Sequence, residues 1–192
     1  LDRRFGESMR ACGLQEVQSL TLSNERDQFE IVRWPRGDGI ALISNPITSE
    51  HTILRQNILP SLLRLLAANR HHELPQRVYE LGTVVRGFRN NRRGAWTCAE
   101  VGSGFTSSKG IAQALIRDLG ANDGDVEFVP TEPGHGPWIT GRGSQIMVKG
   151  KSIGEFGEIA PEVSGEFGIK SPIQAGEINL ELVGTLIPDP VS

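Results

Sequence analysis

Cysteine is scarce: Cys12 and Cys98 are the only two in 192 residues. They form no C-x-x-C pair, so neither a disulfide framework nor a cysteine metal site is indicated, and two buried thiols in a reducing cytosol are expected. The four histidines, His51, His71, His72 and His135, never take the spacing that puts two ligands on one helical face. No metal centre is expected. There is no excess of one charge either: 20 basic against 23 acidic residues leave a net charge of −3. That balance excludes a strongly basic nucleic-acid binder and a highly charged disordered tail, but leaves room for a local basic patch. No apolar run approaches the roughly 20 residues that span a bilayer, and no secretory signal opens the chain. A first residue that is Leu rather than Met points to a fragment. What is present, 38% apolar and 22% charged residues, suits a folded core of one domain.

Periodicity divides the chain into short elements. Phe5, Met9 and Cys12 make one stripe of a helix over 1–13, stopped by Gly13. Alternation over 16–22 predicts a half-buried strand; 29–32 and 40–43 read as two more, the latter ended by Asn45-Pro46. The most apolar helix is predicted over 53–69, with Asn57 as cap and Pro60 harmless in the first turn. Leu59, Leu62, Leu63 and Leu66 form its stripe, and Ile58 and Leu65 widen it enough to require cover on two sides. A strand over 77–85, a basic hairpin tip over 86–94 and a partner strand over 95–101 follow. Ser107 or Ser108 caps a helix over 109–119 with Ile111, Leu115 and Leu119 inward. Then come a strand at 126–129, a Gly/Pro-rich loop over 130–143 and a hairpin of 145–148 with 152–159 around Gly150. A helix from Pro161 to Phe167, a last strand over 174–180 and a tail from 182 complete the chain. Hairpin-linked strands predict an α+β fold, an antiparallel sheet with helices segregated to one side.

No motif supplies a catalytic constellation. The run from Gly136 to Gly143 resembles a phosphate loop, but Arg142-Gly143 stands in place of Lys-Ser/Thr and a strand follows instead of a helix. Gly102-Ser103-Gly104 lacks the third glycine of a dinucleotide fingerprint, since Ser107 is in its place. Arg86, Arg89, Arg92 and Arg93 crowd one predicted loop, which is either a solvated tip or a set of RNA phosphate contacts. Glu155 and Glu158 would face opposite sides of an extended strand and, with Glu162, read as surface or sheet-edge residues.

Three segments together resemble one family. They are Asn45-Pro46-Ile47-Thr48-Ser49-Glu50 with Leu54-Arg55 and 59–63, then Tyr79-Glu80-Leu81-Gly82-Thr83-Val84, then the stretch from Ile153 to Val163. Their order and spacing resemble the C-terminal synthetase-like domain of the phenylalanyl-tRNA synthetase beta subunit family, and 69–75 is similar to its archaeal and eukaryotic form. The resemblance implies a class II aminoacyl-tRNA synthetase fold, with antiparallel sheet and flanking helices, over one domain spanning 1–192 with a tail at 183–192, cut from a longer beta chain. It implies a cytoplasmic heteromeric ligase in which an alpha subunit carries the active site, and in which ATP, magnesium and tRNA belong to the holoenzyme, with no cofactor in this domain. It further implies that the domain is catalytic-like without catalysis. The strand Gly82-Thr83-Val84-Val85-Arg86 keeps the family pattern, but Phe88 stands where an acid two positions after the arginine would be. The stretch 174–182 contains no arginine to clamp a γ-phosphate. Scaffolding against the alpha subunit is the function implied, with Phe5, Met9, Leu59, Leu62, Leu63 and Leu66 divided between that interface and the domain's own core. The alternatives are an active class II-like nucleotide-binding enzyme and an RNA-binding module that uses Arg86 to Arg93.

Overall fold

A computed structural model of the chain describes residues 1–188. Helix α1, Asp2–Ala11, ends where Gly13 takes a positive φ of 83°. The expected strand over 16–22 shrinks to β1, Gln15–Glu16, and β2, Leu22–Ser23. The chain leaves the sheet between them because the Ser19 amide donates to the Glu80 carboxylate at 2.6 Å rather than to a neighbouring strand. Residues 29–32 are not a strand: they lie in and just after a π-helical turn, Arg26–Glu30, begun by Asn24, whose Oδ1 accepts from the Asp27 amide. Phe29 and Val32 are both buried there, three positions apart, a helical spacing. Residues 40–43 make only a single bridge, Leu42 to Ile53.

The long helix predicted over 53–69 is also corrected. Ile53–Leu54 is strand β3, paired with β2, and only Leu59–Ala68 is helix α2. The amides of Leu54 and Arg55 go to Ala41 O and Thr21 O, and those of Gln56 and Asn57 to Gln28 Oε1. With its backbone donors committed elsewhere, this stretch has no route into a helix until Ile58. Pro60 sits in the first turn as expected, but Asn57 is not the cap.

Strands β4, Gln76–Arg86, and β5, Arg89–Ala99, pair along their full length. The hairpin tip is therefore Gly87-Phe88 alone, both at positive φ as a two-residue primed turn requires, and residues 89–94 lie in the strand rather than in a basic loop. Helix α3, Phe105–Asp118, starts four residues before the predicted bound; Ser107 helps from inside its first turn by accepting from the Gly104 amide at 3.0 Å. Strands β6, Val126–Pro130, β7, Trp138–Val148, and β8, Lys151–Ile159, follow, with the β7–β8 turn at Lys149-Gly150. Strand β7 begins well inside the predicted loop. The missing side chain at Gly143 decides this: a Cβ there would stand 2.6 Å from that of Trp138, whose ring lies along the strand. After α4, Pro161–Glu166, strand β9, Ile173–Asn179, runs directly into helix α5, Leu180–Leu186, which replaces the expected tail; residues 189–192 of that tail lie outside the described residues.

The main sheet has the order β1-β4-β5-β9-β8-β7-β6, parallel only between β1 and β4. The α+β architecture expected from the hairpins is present, but the helices are not confined to one side. Helices α2 and α4 cover one face, over Ala95, Ala99 and Ala175. Helices α1, α3 and α5 cover the other, over Trp96, Phe156 and Ile178. Alternation along β5 and β9 sends adjacent residues into the two cores. Among the described residues, no helix is long and apolar enough to cross a membrane.

Candidate functional site

The α2 side of the sheet carries charge where a core face would be apolar. Glu80 and Arg86 stand on β4, Arg93 on β5, Glu177 and Asn179 on β9 and Glu155 on β8, with Arg93 opposite Asn179 and Glu155 opposite Glu177 in the strand register. Buried charges persist only when paired and hydrogen-bonded. Three local networks meet that condition.

In the first, Arg55 Nη1 donates to Glu80 Oε2 at 3.0 Å, and the two side chains are 3% and 2% exposed. Ser19 bridges them, its hydroxyl accepting from Arg55 and donating to Glu80. In the second, Arg93 Nε donates to Glu177 Oε2 at 2.5 Å, while Glu177 Oε1 accepts the amides of Ile58 and Leu59 at 2.8 and 2.6 Å. In the third, Glu155 accepts from the indoles of Trp138 at 2.9 Å and Trp34 at 3.4 Å, and its other oxygen lies 3.0 Å from His135 Nε2.

The last two networks line a cleft of about 330 Å³ together with the chain from Trp34 to Gly37 and with Gln56 and Asn57. Arg86 lines it, donating through Nε to Gln56 O at 2.8 Å and through Nη2 to Asn57 Oδ1. Partial burial of its guanidinium, and next the charge of Arg93, pull the Arg86 pKa down to about 10, so it remains a cation at neutral pH. Among the described residues no carboxylate oxygen lies within ion-pair distance of it.

The sequence-derived candidates fall elsewhere. Phe5, Met9, Leu59, Leu62, Leu63 and Leu66 are all buried by this chain alone, the first two in the α1/α3/α5 core and the other four in the α2/α4 core. Stripe periodicity registers burial but not what does the burying, so it could not separate core from interface. The four arginines do not share a loop. Arg86 lines the cleft, Arg93 is buried against Glu177, Arg92 turns to the other face and pairs with Asp2 at 2.9 Å, and Arg89 is exposed. Glu155 and Glu158 lie on β8, an interior strand, not at a sheet edge; Glu158 pairs with Arg142 at 2.9 Å. The sequence patterns do not single out Glu177, Glu80, Arg55 or His135 as site residues. The available signal was a carboxylate at an inward position of an apolar strand, as in Val78-Tyr79-Glu80-Leu81 and Ala175-Gly176-Glu177-Ile178.

Cys98 is buried and Cys12 half-buried. Burial, as the largest cause, raises both thiol pKa values, that of Cys98 to about 12. A thiol raised that far stays protonated and unreactive at pH 8. Iodoacetamide at pH 8 is therefore expected to label Cys12 at least about tenfold faster than Cys98, as read by peptide mass spectrometry, with Cys98 catching up only in denaturant.

A model of the phenylalanyl tRNA synthetase beta chain CLM domain matches residues 1–180. The chain belongs to this family. It is 38% identical over 177 residues to the phenylalanine–tRNA ligase beta subunit of Archaeoglobus fulgidus, covering 91% of this chain and 31% of that one. The beta subunit of Pyrococcus furiosus is 39% identical over 176 residues, covering 88% and 31%. These beta-chain relatives are archaeal, in line with the form indicated by 69–75. The chain spans about a third of the length of the curated relatives it matches. A pyrrolysyl tRNA synthetase structure, Desulfitobacterium hafniense PylSc, superposes with a TM-score of 0.74 at 14% identity, covering 95% of this chain and 64% of that one. That likeness establishes the class II synthetase fold for this CLM domain.

Proposed function

We propose that the chain is a synthetase-like scaffold of a phenylalanine–tRNA ligase beta subunit, one domain of a longer polypeptide. It pairs in the cytoplasm with an alpha subunit that attaches phenylalanine to tRNA at the expense of ATP, with magnesium bound there. The observation that carries this reading is the state of the cleft. A triphosphate needs forked cations free to grip it and carboxylates placed to hold its metal. Here Arg93 is committed to Glu177, and Arg86 has spent Nε and Nη2 on Gln56 and Asn57. Phe88 occupies the position two beyond Arg86 and is 75% exposed at the hairpin tip. The β9–α5 junction keeps the strand-into-helix path but brings no arginine. The residues present do not fit ATP and magnesium, so no step of adenylate chemistry is assigned to this cleft.

Pairing with the alpha subunit draws on surface outside the two buried stripes. The test is to purify the full beta chain with and without its companion subunit and to measure phenylalanine-dependent exchange of pyrophosphate into ATP. The beta chain alone is expected to show none, while the complex shows it. Adenylate formed by the beta chain alone overturns the reading.

A further inference from the structure

A second hollow, of about 340 Å³, lies at the opposite end of β4 from the cleft. Arg86 lines the cleft and Gln76 lines this hollow, so about 30 Å of strand separates the two. Its buried lining is Leu66, Ala99 and Ile169, all members of the α2/α4 core. Its exposed lining includes Arg70, Leu74 and Lys170. Gln76 Nε2 donates to Asn69 O at 2.9 Å and to His72 O at 3.3 Å, which ties the stretch after α2 to the start of β4. Leu74 is 44% exposed, and Val101, two residues past Ala99, is 90% exposed. Apolar surface gathered around an apolar hollow is the mark of a contact made with another molecule.

The charge here has one sign. Arg70 and Lys170 line the hollow, and no Asp or Glu does. Among the described ion pairs neither cation has a carboxylate partner; Arg70 Nη1 donates to Ala67 O at 3.0 Å. Glu100, next to Ala99, is held by Arg77 at 2.6 Å, and Glu166, in α4, by Arg26 at 2.7 Å. The hollow beside the exposed Leu20 differs, since Asp27 and Glu50 line it together with Arg64.

We propose that the hollow at the end of α2 docks an acidic segment of the companion subunit, whose one bulky apolar side chain enters against Leu66, Leu74 and Ile169 while its carboxylates meet Arg70 and Lys170. An apolar anchor in a pocket with charges at its rim is the usual anatomy of a specific protein contact. The two cations select an acidic partner and reject a basic one, because like charges brought together there would stay unpaired. The site lies outside both buried stripes, on the kind of surface that pairing must use. The inference deepens the scaffold reading, and rests on it in taking the companion subunit as the source of the segment.

The test titrates the full beta chain with its companion subunit. Arg70→Glu/Lys170→Glu is expected to raise the dissociation constant about tenfold or more, and Leu74→Ser several-fold, while the free beta chain melts as wild type does because all three residues are exposed. Lys170→Glu alone, whose side chain has no described hydrogen bond, should show part of the loss and guards against disturbance of the α2 end by Arg70→Glu. Lys149→Glu/Lys151→Glu, on the exposed β7–β8 turn, should leave affinity unchanged. A carbodiimide, which joins an amine to a carboxylate in contact with it, should couple Lys170 to an Asp or Glu of the companion subunit, read as a linked peptide pair by mass spectrometry. Unchanged affinity in the three hollow variants overturns the proposal. So does an equal loss in the Lys149/Lys151 control, which would mean steering by overall charge. Coupling of Lys170 only to residues of the beta chain, or not at all, overturns it as well. An intact complex that ignores these variants fells this inference alone, whereas wild-type chains that never associate would take the scaffold reading down with it.

Discussion

Leu63→Asp is expected to unfold this domain, not merely to loosen a subunit contact. Leu63 is fully buried in the α2/α4 core, among side chains of the sheet and both helices. Truncating a buried leucine to alanine costs about 2–5 kcal/mol, and an unpaired carboxylate in the same place costs more because nothing there compensates its lost hydration. Domains of this kind hold about 5–15 kcal/mol in all. Thermal melting should show the cooperative transition lost or shifted far down for Leu63→Asp and lowered but present for Leu63→Ala. Co-purification with the alpha subunit should fall in step with folding. A variant that melts like wild type yet loses its partner would move Leu63 from the core to an interface.

Arg55→Ala carries the second large effect. It strands the Glu80 carboxylate, 2% exposed, with the Ser19 amide and hydroxyl as its only remaining donors among the described bonds, and it removes the Arg55 contact to Thr83 O. Breaking one side of a buried ion pair costs about 3–5 kcal/mol, whereas replacing both sides with apolar groups of like volume is often neutral. Urea denaturation should therefore place Arg55→Ala well below Arg55→Met/Glu80→Leu. A double variant as unstable as the single one would mean that the pair contributes more than compensation of charge.

Much of the architecture was legible in the residues because one local rule governed each piece. The α2 stripe, the place of Pro60 in the first turn, the Gly150 turn and the Pro161 helix all follow from spacing or from the special backbones of proline and glycine. The misread stretches are those where a distant side chain takes a backbone donor. Gln28 holds 56–57 extended, Glu80 draws Ser19 off the sheet, and Glu177, not Asn57, accepts the first amides of α2. None of these partners is near in sequence, so no window of ten residues contains both ends of the bond. The cleft was illegible for the same reason: its charges come from four strands, and only their register brings Arg93 beside Glu177. The arginine cluster failed differently. Adjacent strand residues point to opposite faces, so Arg92 and Arg93, neighbours in sequence, end on different sides of the sheet.

The bond from Glu177 to Leu59 also bears on how the polypeptide comes off the ribosome. While residues 58–68 are already outside the exit tunnel, the glutamate that anchors their first turn has still to be translated, and contacts so far apart close slowly. Nascent chains halted before β9 should hold this segment frayed and open to protease, and its resistance should appear abruptly once residues through Asn179 have emerged.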